Sequence, residues 1–278
     1  MLNSPTLENW IAEHDSFLNR LAERNVIVTF SGGKDSSVVL HFMAEAAARY
    51  GYRVQAHGVG FPHHVLNARE QETLSGYWQR RGVPIQWYQS AQGDDTLEKA
   101  ENQGLSPCLV CNQIKKKAAL EHFQSSKDAL RDTVVVMGYS LWDLVSASIE
   151  HILESVYSVY PSSGAIQGKD LQHRFLETSQ RFYPWLPLND GLTVFRPILR
   201  MNDQEITQLI NDHKIPITLT TCRYQDFRAK RLFAEYYTKM DLRFDYDKVL
   251  AFARSALSLP DISTFESLEQ DLYIRTVL

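Results

Sequence analysis

Residues 26–40, VIVTFSGGKDSSVVL, decide how this chain folds. Val26 to Phe30 is a run of β-branched and aromatic residues, the pattern of a strand buried on both faces. Ser31-Gly32-Gly33 then makes a tight turn, where glycine permits positive φ and lets a ligand approach the backbone. Lys34 opens a helix that the alanine-rich segment carries to about Tyr50. A strand, a small-residue turn and a helix N-terminus together form an anion site. Free N–H groups point outward there, and the helix dipole favours negative charge. Ser31, Lys34, Ser36 and Ser37 offer further donors to the same oxyanions. The spacing excludes the Walker P-loop, whose first glycine stands further from its Gly-Lys-Ser/Thr.

Composition bounds what such a site can serve. A chain of 278 residues, 44% hydrophobic and 22% charged and without a long apolar run, reads as globular and not membrane-spanning. The N-terminus MLNSPTLENWIAEHDSF is amphipathic and acidic, with no signal-peptide pattern, so a cytoplasmic location is expected. Three cysteines in that compartment are expected to be reduced or metal-bound, not disulfide-paired. The net charge of −4 weighs against an RNA partner, which needs a basic face.

Outward from the opening stretch, 7–24 reads as an amphipathic helix on the outside of a sheet, 53–59 as a second strand and 65–81 as a polar helix. Ile85 to Gln89 is a third strand, 93–107 is loop-like with one helical turn admitted, and 110–123 is helical with a Lys115-Lys116-Lys117 run. Thr133 to Met137 is the clearest buried strand and leads through Gly138 into a helix from about Leu141 to Tyr157. A helical segment is expected near 169–182 in an otherwise Pro/Gly/Ser-interrupted stretch. After 194–199, Asn202 and Glu205 have the spacing of a capping box. Segments 226–239, 246–255 and 263–275 read as helices. Strands alternating with helices at these spacings predict an α/β fold with a doubly wound parallel sheet. We expect a catalytic domain over 1–222 and a helical C-terminal elaboration over 223–278 packed on it.

The cysteines stand as Cys108-Leu109-Val110-Cys111 at the mouth of a predicted helix, and Cys222 within TTCRYQ. A CxxC pair suits zinc, an iron–sulfur cluster, a redox pair or a persulfide carrier. A helix N-terminus beside Lys115 favours the thiolate. Three buried small hydrophobes is the plain alternative. Two groups of basic residues, Lys115 to Lys117 and Arg223, Arg228, Lys230 and Arg231, flank these thiols where an RNA phosphate would pass. Such runs are otherwise solvated helix faces.

SGGKDS resembles the PP-loop of ATP pyrophosphatases, which cleave ATP between its α- and β-phosphates. GFPHHVL at 60–66, PCLVCNQIKK at 107–116, GYSLWDL at 138–144 and FRPI at 195–198 are similar, in the same order, to segments of the tRNA 2-thiocytidine synthetase family. The resemblance implies a PP-loop (adenine-nucleotide α-hydrolase) fold that binds ATP and Mg²⁺ through Ser31, Gly32, Gly33, Lys34, Asp35, Ser36 and Ser37, with Asp35 on the metal. It places Gly138 and Asp143 in a second nucleotide motif and His64 at the nucleotide or substrate pocket. Cys108, Cys111 and Cys222 become a sulfur site, as ligands of a 4Fe–4S cluster or as a persulfide-bearing thiol. A cysteine desulfurase would be the sulfur donor, and a homodimer is admitted. Tyr139 and Trp142 depart from the family's histidine and first aspartate, and the basic N-terminal extension of the tRNA enzymes is missing.

The implied reaction adenylates a carbonyl oxygen of a nucleobase-type substrate, releases pyrophosphate, and replaces AMP with sulfur. A free small molecule, such as guanine giving thioguanine, is favoured over tRNA cytidine. An ATP-dependent amide or C–N ligase, which needs no cysteines, and a non-catalytic nucleotide-binding module are the competing classes.

Overall fold

The computed structural model describes residues 6–60, 66–90, 95–124, 132–156, 175–176, 178–189, 191–227, 229–269 and 273. Its six strands are β1 (Asn25–Thr29), β2 (Arg53–Gly60), β3 (Ile85–Gln89), β4 (Thr133–Val136), β5 (Trp185–Pro187) and β6 (Thr193–Phe195). They form one sheet in the order β3-β2-β1-β4-β6-β5, parallel except for β5, which runs antiparallel to β6 at one edge. The doubly wound parallel sheet read from the sequence is therefore present. Its antiparallel edge, only Trp185–Pro187 long, was not foreseen. A proline is tolerated there because an edge strand needs fewer ladder donors.

Helices cover both faces: α1 (Leu7–Leu18), α2 (Lys34–Tyr50), α3 (Ala68–Gln79), α4 (Asp95–Asn102), α5 (Pro107–Gln124), α6 (Leu141–Val156), α7 (Asp203–His213), α8 (Ala229–Lys239), α9 (Tyr246–Ala256) and α10 (Ile262–Glu266). The stretch expected to be loop-like holds α4, because Leu97 and Ala100 recur at helical spacing and are buried. The capping box is realised at α7, where Glu205 Oε2 accepts from Asn202 N at 2.7 Å. Of the helix expected near 169–182, residues 169–174 and 177 lie outside the described residues; 175–176 and 178–179 are helical, and Gln180–Phe182 is a 3₁₀ turn.

Alternate residues of each central strand enter different cores, as a period-two pleat dictates. Val26, Val28, Val134 and Val136 pack with Trp10 and Leu18 of α1 and Val38, Phe42 and Met43 of α2. Ile27, Val135 and Val194 face the other way, against Leu141, Leu144, Phe182, Tyr246, Leu257, Phe265 and Tyr273. Trp185 and Phe195 are core residues. The second face also encloses Arg196, fully buried. Its guanidinium donates to Tyr183 O at 2.8 Å, to the Tyr273 hydroxyl at 3.2 Å and to Gln180 Oε1. Among the described residues no helix is long and apolar enough to cross a membrane.

Candidate active site

Strand order reverses at the middle of the sheet, between β1 and β4, and ligands of open α/β sheets bind in the crevice beyond the strand ends at such a point. The loop after β1 and the loop after β4 meet there. A Cβ built on Gly138 would lie 3.1 Å from Ser36 N and 3.2 Å from the Asp35 carbonyl carbon. Only a glycine lets the second motif lie this close to the backbone that opens α2. Gly138→Ala is expected to cost about 1–3 kcal/mol through overpacking against rigid backbone. A lower urea midpoint with unchanged m would show it.

Gly32 adopts φ +71°, and Gly33 caps α2 with no side-chain hydrogen bond, leaving the first turn's N–H groups unclaimed by a cap. Ser36 Oγ donates to Gly33 O at 3.0 Å, accepts from Ser31 N at 3.2 Å and lies 3.1 Å from Ser31 Oγ. Ser31 and Ser36 thus shape the loop. Ser37 is fully buried and not open to the crevice, and its hydroxyl has no hydrogen-bond partner among the described residues.

Charged side chains converge on this loop from four segments. Lys34 Nζ lies 2.6 Å from Asp35 Oδ1 and also pairs with Asp203 at the start of α7. Burial alone would lower the Lys34 pKa, but Asp35 and Asp203 outweigh it and hold it at about 12. Asp143 Oδ2 accepts from Ser140 N at 2.8 Å and Ser140 Oγ at 3.0 Å, closing the first turn of α6 as a capping box does. Its other oxygen pairs with Lys230 of α8. Burial pushes both aspartates upward. Asp35, which also feels Asp143 as a like charge, stays above the usual carboxylate range despite Lys34. For Asp143 the Lys230 ammonium and the Ser140 donors win, and it lies below that range.

Lys230 is the residue that sequence reasoning misplaced. It was grouped with basic residues awaiting RNA, whereas it reaches across 87 positions to Asp143. Trp142 explains how. Its ring stands edge-on to Tyr237 of α8, 5.2 Å between centroids, in a small core with Val145, Phe233 and Ala234. Residues 230, 233, 234 and 237 share one helical face, so docking α8 on Trp142 delivers Lys230 to the crevice. The other basic flanks are also largely spoken for. Arg223 contacts Glu98 at 2.9 Å and Glu101 at 3.8 Å, Arg231 contacts Glu235 at 3.1 Å, and Lys117 lies 4.0 Å from Glu121. Arg228, His63 and His64 lie outside the described residues.

The thiols meet at a second place. Cys108 and Cys111, in the first turns of α5, share an apolar cluster with Leu97 of α4 and Tyr224, and Cys222 packs against it. Both cysteines of the pair are buried; Cys222 is partly exposed, and none forms a disulfide. Cys108 Sγ donates to Tyr224 O at 3.1 Å. A set of three thiols suits three irons of a cluster. Yet among the described residues no three His, Cys, Asp or Glu side chains are arranged to hold a metal ion. The thiols are gathered without being set as ligands. Mg²⁺ asks for less, since it takes one or two carboxylates and completes its shell with phosphate oxygens and water, and Asp35 beside Asp143 fits that demand.

No family model and no curated protein matches the sequence. Among solved structures, the U34-tRNA thiolase NcsA from Methanococcus maripaludis, determined with its [4Fe-4S] cluster, aligns over 91% of this chain and 82% of its own with a TM-score of 0.64 at 14% identity. The two share a fold, a mostly parallel six-stranded α/β sheet of PP-loop type. NAD⁺ synthetase from Burkholderia pseudomallei aligns more loosely, at TM-score 0.48 and 14% identity over 91% of this chain and 89% of its own. At such identities the likeness speaks of the PP-loop fold alone.

Proposed function

We propose that this chain is an ATP-dependent sulfurtransferase that adenylates a carbonyl oxygen of a nucleobase-type small molecule and replaces that oxygen with sulfur. The observation that carries this reading is the pairing of two sites in one PP-loop fold: a loop for phosphate with Lys34, Asp35, Asp143 and Lys230 around it, and a separate gathering of three thiols.

In the first step the substrate oxygen attacks the α-phosphate of ATP and pyrophosphate leaves. The N–H groups opening α2, with Lys34 and Lys230, balance the charge that builds on the leaving group. Mg²⁺, held by Asp35 with Asp143 beside it, would supply Lewis-acid stabilisation of the same oxygens. In the second step a persulfide sulfur carried on one cysteine attacks the activated carbon and AMP departs. A second thiolate then attacks Sγ of that cysteine, breaking its bond to the transferred sulfur, which leaves on the thio-product; the resulting disulfide between the two cysteines is reduced by an external thiol. The arrangement of Cys108 and Cys111 one helical turn apart suits that last exchange. A cysteine desulfurase is the class of donor that would load the persulfide.

A free base is supported by the paired state of Arg223, Arg231 and Lys117. It is supported too by a cleft of about 460 Å³ beside Asp203, lined by Trp142, Gln204, Gln208, Asn211 and Asp241. Amides and carboxylates suit the polar edge of a heterocycle better than a phosphate backbone. The tRNA reading draws on NcsA, a U34-tRNA thiolase with a [4Fe-4S] cluster.

The deciding experiment follows AMP and pyrophosphate from ATP with guanine, other free bases or tRNA as acceptor. Activity dependent on a free base supports the proposal, and activity dependent on tRNA alone sinks it. Cys111→Ala is expected to keep pyrophosphate release within about threefold while lowering sulfur incorporation at least about a hundredfold. Iron and acid-labile sulfide in anaerobically purified protein would replace the persulfide route with a cluster. Full turnover by Cys111→Ala would favour a ligase.

A further inference from the structure

Two Asn-x-x-Glu sequences open helices in this chain, and they behave differently. At α7 the glutamate folds back on its own cap, as described. At α3, Asn67 Oδ1 accepts from Glu70 N at 3.1 Å, the expected first half of a box. The Glu70 carboxylate does not complete it. A single oxygen, Oε1, instead accepts from Thr218 Oγ1 at 2.7 Å, Leu219 N at 3.1 Å and Thr220 N at 3.0 Å, across some 150 positions of sequence. The strap 218–220 carries no element of its own and leads directly to Cys222. Leu219 at its crest is 87% exposed, so apolar burial does not hold this turn of chain in place.

The same strap is tied to the phosphate loop. Thr218 N donates to Gly32 O at 2.7 Å. A Cβ on Gly32 would lie 2.7 Å from Leu66 Cδ2, 3.2 Å from Leu74 Cδ1 and 3.5 Å from Thr218 Cβ, so loop, α3 and strap interlock around that glycine. Beyond the strap, Arg223 reaches Glu98 and Glu101 of α4, and Tyr224 O receives the Cys108 thiol.

We infer that Glu70 is a positioning residue that latches the 218–220 strap and thereby couples occupancy of the phosphate loop to the placement of Cys222 beside Cys108 and Cys111. The hydrogen-bond partners of the Glu70 carboxylate lie on the strap, between the phosphate loop and the thiols. Glu70 fixes the segment that runs between them, so that phosphate bound at the Gly32 loop, to which the Thr218 amide is tied, tightens the path to the sulfur site. Three hydrogen bonds from neutral donors to one charged acceptor make this the strongest polar tie on the strap. Burial opposes ionisation of Glu70, but these donors outweigh it and keep the carboxyl below its usual range. The coupling half of the inference rests on the nucleotide reading proposed above; the latch itself does not.

The test labels the full-length native chain with iodoacetamide and follows Cys222 and Cys108 separately by peptide mass spectrometry. Glu70→Ala is expected to speed Cys222 labelling about tenfold, by freeing three hydrogen bonds, while Cys108 changes less than about twofold. A non-hydrolysable ATP analogue is expected to slow Cys222 labelling in the wild type and to leave it unchanged in Glu70→Ala, although calorimetry still shows the analogue bound. Glu70→Gln, which keeps a carbonyl acceptor, should restore most of the protection. Equal Cys222 labelling in wild type and Glu70→Ala overturns the latch. An analogue response that survives in Glu70→Ala overturns the coupling. Faster labelling in Glu70→Ala, with no analogue bound by either protein, supports the latch and removes the nucleotide reading instead.

Discussion

Asp35→Ala is expected to lower AMP and pyrophosphate formation at least about a thousandfold without lowering stability. The two halves of that result have one cause. Burial and the neighbouring Asp143 both disfavour a charge on Asp35, so the native chain keeps a carboxylate where the folded state resists it. Lys34 offsets part of this and would keep Asp203 as a partner after the substitution. Removing Asp35 therefore relieves like-charge repulsion while deleting the carboxylate best placed to hold Mg²⁺ against the phosphates. Sites that trade stability for function show this signature. The check is a pair of measurements: pyrophosphate release, and the urea midpoint at neutral pH. Activity within about tenfold of wild type would remove Asp35 from the metal site, by the usual size of such losses. A sharply lowered midpoint would make it a structural residue.

The second large effect is acid destabilisation well above the carboxylate range. His14 of α1 is buried beneath Trp10 and Phe195, and its Nδ1 faces Trp10 O at 2.9 Å. Burial, with a smaller push from Arg200 and some opposition from the Trp10 carbonyl, pulls its pKa down from 6.5 to about 4. His41 of α2 is buried against Phe42 and His213, and burial with the repulsion of His213 and Arg81 brings it to about 4 as well. The unfolded chain takes up these protons near 6.5 and the folded chain resists them until about 4. Stability is complete above pH 6.5 and falls through that window, by about 3 kcal/mol for each histidine. Glu13, raised by burial against the pull of Arg200, works in the opposite direction and trims the loss. Urea midpoints from pH 7 to 4.5 should fall steadily, and His14→Gln should flatten the curve by about half if the two sites add. A flat wild-type profile would mean that both rings take up protons in the folded chain as readily as in the unfolded one.

The sheet and its loop were legible because their physics is local. A β-branched run, a glycine pair and a helix opening at Lys34 predict β1, the turn and α2 to within a residue of where they lie. The capping box at Asn202 is likewise written within four consecutive residues. What sequence could not show was contact between remote charges. Lys230 reads as one more surface cation until Trp142 is seen to anchor the face of α8 that carries it. Trp142 was noticed as a departure from a resembling family, yet its consequence lay in another helix. Glu70 had a local signal, the spacing to Asn67, and that signal pointed to the wrong donor for its carboxylate. The thiols were found by spacing, but their gathering without a ligand geometry needed coordinates.

The way the second core closes has a consequence for how the chain is made. Phe265 and Tyr273 complete the apolar layer over Ile27, Val135 and Val194, and the Tyr273 hydroxyl satisfies the guanidinium of Arg196. A nascent chain that has not yet emerged past Tyr273 leaves that layer incomplete and Arg196 short of one hydrogen-bond partner. Closure of the second core is therefore a late event in synthesis, coming after the sheet and the helices over its first face are already out of the ribosome.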